Sequence, residues 1–149
     1  MTLLNMALLE DQLVVKGSTL PHAGKGLFTK KYISKGTRIV EYKGRIITWK
    51  EVTKKDHFNR YTFYVKRDYV INAEPYRKAL AKFANDARGL IRVKGITNNA
   101  CYERQGLQIF ITASKDISAG SEILVDYGRE YWEAVRYNEK MKTTDKNVI

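Results

Sequence analysis

This chain has few of the residues from which small proteins build metal sites and covalent frameworks. Of its 149 residues, one is cysteine and two are histidine. The single thiol, Cys101, excludes an internal disulfide framework and any multi-cysteine zinc cluster. His22 and His57 lie far apart with no carboxylate or cysteine at ligand spacing, so no metal is expected. No serine sits in a nucleophile elbow and Cys101 has no basic neighbour, which argues against hydrolytic triads. Long apolar runs are missing too. The start, MTLLNMALLED, has no basic residue ahead of its apolar run and is too short to span a bilayer. Residues 1–11 read as a packing segment or one that supports a homodimer. A reducing cytoplasmic, nuclear or nucleoid setting is expected, with neither membrane nor secretion.

Positive charge is plentiful. The net charge is +11, with 14 basic against 7 acidic residues over 1–75 and 13 against 9 over 76–149. So diffuse a field speeds encounter with anionic partners and binds nucleic acid without specificity, and it says nothing about fold. A hydrophobic content of 44% is enough for one domain with its own core. Ten tyrosines against five phenylalanines favour rings with a polar handle, suited to a channel with apolar walls and a hydrogen-bonding end.

Short β-branched and aromatic runs predict strands over 13–16, 38–42, 45–47, 61–66, 69–73, 107–113 and 122–125. Arg67 and Asp68 predict a tight turn joining 61–66 to 69–73 in a hairpin. Helices are expected only over 48–54, 76–83 and 129–137. Many short strands with small helices make the fold class mainly β, α+β, and not a βαβ array.

Three stretches are candidate sites. The segment Gly24-Lys25-Gly26-Leu27-Phe28 lacks the third glycine of a dinucleotide fingerprint and runs towards a strand. It is either a plain tight turn or one whose exposed backbone contacts a small polar ligand. Asn85 and Asp86, in KFANDA, follow a helix candidate, where a cap or turn role competes with a site role. The stretch SEILVDYGREYWE ends a strand in an Asp-Tyr-Gly turn, which puts the Tyr127 hydroxyl at a strand end.

Taken in order, GKGLF at 24–28, EYKG at 41–44, AKFAND at 81–86, NNA at 98–100, KDISAGSEILVDYG at 115–128 and EYW at 130–132 resemble the SET-domain protein-lysine N-methyltransferases. The likeness spans roughly residues 12–135 and is closest to compact bacterial and viral members without zinc-binding flanking modules. Residues 136–149 would then be a partly flexible tail. The resemblance implies several small curved β-sheets with short helices and a C-terminal pseudoknot. It also implies S-adenosyl-L-methionine as methyl donor, S-adenosyl-L-homocysteine as product, and a protein lysine as acceptor.

By the same resemblance, Tyr127 is the catalytic tyrosine. Lys25, Gly26, Asn85, Asp86 and Trp132 fall at cofactor-binding positions, and Tyr61, Tyr64, Val125 and Tyr131 line the substrate channel. Tyr131 and Trp132 are expected to close that channel. Val125, where relatives often carry a larger ring, implies room for di- or trimethylation unless another tyrosine such as Tyr64 refills the space. Asp86 departs from the family's histidine, and a basic stretch, 87–97, lengthens the path to Asn98-Asn99. Family habit implies a histone-like or DNA-associated substrate. The competing expectation is a non-catalytic basic module that contacts nucleic acid or an acidic protein through Lys30, Lys31, Lys54 and Lys55.

Overall fold

The computed structural model describes residues 8–54, 61–89 and 92–129. Their strands are β1 (Leu13–Gly17), β2 (Lys25–Thr29), β3 (Arg38–Glu41), β4 (Arg45–Ile47), β5 (Thr62–Lys66), β6 (Tyr69–Asn72), β7 (Ala100–Gln105), β8 (Gln108–Ala113), β9 (Glu122–Ile123) and β10 (Val125–Asp126). They form three small sheets, ordered β1-β2-β9, β10-β7-β8-β3 and β4-β6-β5. This is the mainly β architecture expected from the sequence.

One core joins the sheets. Leu27, Ile39, Ile111, Ile123 and Val125 are fully buried and come from β2, β3, β8, β9 and β10. Burying each such side chain contributes about 1.5–3 kcal/mol. The single α-helix among the described residues, α1 (Trp49–Lys54), opens on a capping box. Thr48 Oγ1 accepts the Glu51 N–H at 3.2 Å, and Glu51 Oε1 accepts the Thr48 N–H at 3.4 Å. Val52 packs from the helix onto Ile47 and Val70. The expected hairpin forms, with Lys66 opposite Tyr69 across the Arg67-Asp68 turn.

Four expectations change. The glycine segment becomes strand β2 from Lys25 onward, because β1 pairs along it from Leu13↔Thr29 to Gly17↔Lys25. Strand β7, polar in sequence, forms because it zips onto the apolar β8 over six residue pairs. The expected helix over 76–83 is reduced to turns and a 3-10 segment, Leu80–Phe83. There Lys82 turns inward and donates to the carbonyls of Ala73 at 3.0 Å, Glu74 at 3.3 Å and Tyr76 at 2.7 Å, a tertiary demand that overrides helix propensity. Finally, the run EILV is two strands. β9 pairs antiparallel with β2, and β10 pairs parallel with β7.

The chain changes sheets at Leu124. Its carbonyl accepts the N–H groups of Asn99 and Ala100, at 2.9 and 3.0 Å, while the Val125 N–H donates to Asn85 O at 2.8 Å. The Asn99 side chain closes the same junction, accepting from Leu124 N and donating to Glu122 O, both at 2.9 Å. Residues 122–126 therefore run between Asn85 on one side and Asn99–Ala100 on the other, the knot-like crossing the resemblance implies. Residues 1–7, most of the expected packing segment, lie outside the described residues, as do the tail and all but Arg129 of the expected last helix.

Candidate active site

The site starts at the glycine turn. Ser18 N–H donates to Gly24 O at 2.8 Å, and Gly24 has φ +70°, a left-handed conformation that glycine adopts without strain. Gly26 meets a different constraint. A β-carbon there would collide with the carboxylate of Glu122, which reaches up from β9. Glu122 is buried and saturated with donors: Ser18 Oγ at 2.7 Å, Thr19 N at 2.9 Å, Thr19 Oγ1 at 2.6 Å and Asn85 Nδ2 at 3.4 Å. Asn85 Nδ2 also donates to Lys25 O at 2.9 Å. Lys25, Gly26 and Asn85, sixty residues apart in sequence, are thus brought together around one carboxylate. Glu122 was not foreseen as a site residue. Its signal was an acid at the head of the apolar run in SEILV.

Asp86 is buried, and both its oxygens serve the knot. Oδ1 accepts from Arg88 N and Asn98 Nδ2, each at 2.7 Å, and Oδ2 accepts from Tyr127 N at 2.8 Å. The Tyr127 hydroxyl donates to Ala84 O at 2.7 Å. Both ends of Tyr127 are therefore held by the segment 84–86. Asp86, standing where the family has histidine, ties Arg88, Asn98 and Tyr127 together.

Rings continue from Tyr127. It stacks on Tyr102 at 6.3 Å, Tyr102 meets Phe63 at 4.8 Å, and Phe63 meets Tyr42 at 5.4 Å. The Tyr42 hydroxyl donates to Tyr61 O at 2.8 Å, and the Tyr61 ring lies 6.2 Å from Phe83. Phe63 and Tyr102 were missed from the sequence, although strand alternation puts Phe63 on the same face as Tyr61. Tyr64 is not brought to this row. It lies on the other face of its hairpin, 53% exposed, with its ring 5.4 Å from Trp49. Val125 is fully buried in the core on which these rings pack. Tyr131 and Trp132, and with them the expected closure, lie outside the described residues.

A cleft of about 370 Å³ opens beside the glycine turn, lined by Ala23, Gly24, Lys25, Tyr61, Lys82 and Phe83. Among the described residues its wall carries two cationic side chains and no carboxylate. Desolvation pushes the Lys82 ammonium below the ordinary lysine pKa, and the nearby Glu74 carboxylate opposes that shift. Cys101 is not primed as a nucleophile, because burial, with Glu103 and Asp126 adding to it, pushes its thiol up. No group of three or more metal-ligating side chains occurs among the described residues.

Compared with known protein families, residues 24–128 match the SET domain. The matched span begins at the glycine turn and ends just past Tyr127, so it contains the cradle, the knot and the row of rings. SET domains are generally protein-lysine methyltransferases that use S-adenosyl-L-methionine. A match over well more than half of its length means that this chain belongs to the SET-domain family.

Proposed function

We propose that the chain is an S-adenosyl-L-methionine-dependent protein-lysine N-methyltransferase, with Tyr127 orienting the acceptor amine and the cleft beside Gly24–Gly26 taking the methyl donor. The supporting observation is the junction in which Glu122, Asn85 and Ala84 tie the glycine turn to Tyr127 through hydrogen bonds. The cleft suits such a donor chemically. Lys25 favours a carboxylate, Tyr61 and Phe83 line the cleft with rings, and Gly24 opens onto space where a β-carbon would meet nothing within 4 Å.

When bound, the donor supplies an electrophilic methyl group on a sulfonium, so the protein's tasks are alignment and delivery of an uncharged amine. Tyr127 serves alignment because its hydroxyl donates to Ala84 O, which fixes the direction in which the phenol oxygen faces. A lysine entering beside Tyr102, Phe63 and Tyr42 exchanges water for ring surface, and that desolvation lowers its pKa. Cation-π attraction to these faces opposes that shift by about 0.5–2 kcal/mol. Deprotonation is therefore favoured in a dry channel. Tyr102, flanking Tyr127, takes over the space-limiting role first considered for Tyr64.

Calorimetry with S-adenosyl-L-methionine and S-adenosyl-L-homocysteine, together with labelled-methyl transfer onto a peptide array, tests the reading. Tyr127→Phe should keep donor binding and lose turnover at least tenfold. A chain that binds neither compound would be a non-catalytic module, and a Tyr127→Phe variant with normal turnover would remove the assigned role.

A further inference from the structure

The lengthened path between Asp86 and Asn98 is closed at its base. Ala87 N donates to Asn98 Oδ1 at 2.8 Å, and Asn98 Nδ2 and Arg88 N both donate to Asp86 Oδ1. Val93 and Ile96 pack on Leu20, Ala87 and Leu124, pinning the excursion to the protein. Its cations point the other way. Arg88, Arg92 and Lys94 are exposed, and exposed Lys115 joins them at the base, 3.4 Å from Thr97 Oγ1.

No acidic residue occurs from 87 to 102. The one ion pair of this ridge among the described residues is loose, Arg88 to Asp126 at 3.9 Å, with both side chains largely in water. Such a pair contributes little and leaves the field nearly intact. The surface around Lys30, Lys31 and Lys35 is of mixed sign, while Lys55 lies outside the described residues. Lys30 and Lys31 share a groove with Asp11, and Lys35 donates its N–H to Asp116.

From this pinned ridge, whose own segment 87–97 carries no acidic residue, we infer that Arg88, Arg92, Lys94 and Lys115 form a contact surface for the phosphate backbone of nucleic acid, in place of the Lys30–Lys31 surface. An acidic peptide is the weaker match, since a string of phosphates offers closely and regularly spaced charge and releases condensed counterions on binding. Arg88 pairs with the residue next to Tyr127, so nucleic acid on the ridge runs alongside the candidate active site. A basic protein carried on that strand would be presented to a site whose own positive field repels it. Binding itself requires no methyl transfer, so the inference stands or falls separately from the enzymatic reading.

The test is fluorescence anisotropy of the full chain with a short labelled DNA duplex of mixed sequence, titrated from about 50 to 200 mM salt. The variant R88Q/R92Q/K94Q is compared with K30Q/K31Q/K35Q, which removes as many charges from the mixed surface. The ridge variant should bind at least tenfold more weakly at the lower salt, with a salt slope smaller by about 2–3, while the other keeps most of its affinity and slope. Should the ridge triple fail to fold by circular dichroism, R92Q and K94Q alone should each reduce the slope by about 1. Equal losses in the two triples, no loss in either, no duplex binding by the parent, or tighter binding of polyglutamate than of duplex would each overturn the inference.

Discussion

Replacing Gly26 with alanine should cost far more than the same change at either neighbouring glycine, and the reason is a single carboxylate. The added β-carbon collides with Glu122 Oε2, which accepts from Ser18 at 2.7 Å and, weakly, from Asn85 at 3.4 Å. Overpacking costs about 1–3 kcal/mol. Moving the carboxylate away from Ser18 costs about 1.5–3 kcal/mol for a charge-assisted bond. These overlap, since one displacement relieves the other, so about 3 kcal/mol is expected. For a chain of this length that lowers Tm by about 6–12 °C. Gly24→Ala meets no atom but must hold φ +70°, at about 1–2 kcal/mol. Gly17→Ala meets nothing and needs no special φ, so it should lie within about 0.5 kcal/mol of the parent. Urea unfolding followed by circular dichroism measures all three. The decisive arm is Gly26→Ala in a Glu122→Ala background, where no carboxylate remains to be struck and the penalty should largely vanish. If Gly26→Ala costs no more than Gly17→Ala, or costs the same with and without Glu122, the cradle does not work as described.

Asp86→Asn should destabilise by about 2 kcal/mol in urea, because an amide turns a donor towards one of the three groups that now donate to it. Asp86→His restores the family residue and should cost at least as much; a stabilised histidine variant would show that the carboxylate does not fasten the knot. Tyr102→Ala, which depends on the proposed activity, should shift product mass spectra towards more methyl groups, and an unchanged distribution would clear Tyr102 of limiting the space. The Tyr32 hydroxyl bonds to Asp116, which raises the phenol's pKa, so its contribution to stability is present below the ordinary tyrosine value and is lost as pH rises through the raised one. Asp116 is depressed mainly by the Lys35 N–H and next by Tyr32, so its contribution is present above the ordinary aspartate value and is lost as pH falls through the lowered one. In an NMR titration Tyr32→Phe should therefore leave the Asp116 pKa still depressed by the Lys35 N–H, and a return to the ordinary value would reverse that ranking.

The hairpin and the short helix after Ile47 could be read from local pattern because each depends on residues close in sequence. Strand β7 could not. Its ACYERQ has little strand propensity of its own and becomes a strand because β8 and β10 pair on either side. The break at Leu124 was equally hidden, since EILV reads as one uninterrupted strand until Asn99 claims its middle. Tyr64 is instructive for another reason. Side chains alternate along a strand, so Tyr61 and Tyr64, three apart, cannot share a face, whereas Tyr61 and Phe63 can. Parity pointed to Phe63. What Asp86 does in place of histidine was not legible, because two of its three donors, Asn98 and Tyr127, lie far along the chain.

How a domain can tolerate a long basic insertion next to its most exacting side chain follows from where the insertion is tied. Tyr127 is held at both ends by residues 84–86, its hydroxyl on Ala84 O and its N–H on Asp86, so swinging the ring breaks at least one of two short bonds. Closing the loop is a separate matter, handled by Asp86 and Asn98 across its base. Lengthening a loop whose ends are already joined costs little, roughly 0.6 kcal/mol per doubling. The excursion from 87 to 97 can therefore vary in length and charge without disturbing Tyr127, provided Asp86 keeps both tasks. One carboxylate separates the precision of the site from the freedom of the ridge, so a change at Asp86 should disturb both, whereas changes at Arg92 or Lys94 should alter only what the ridge binds.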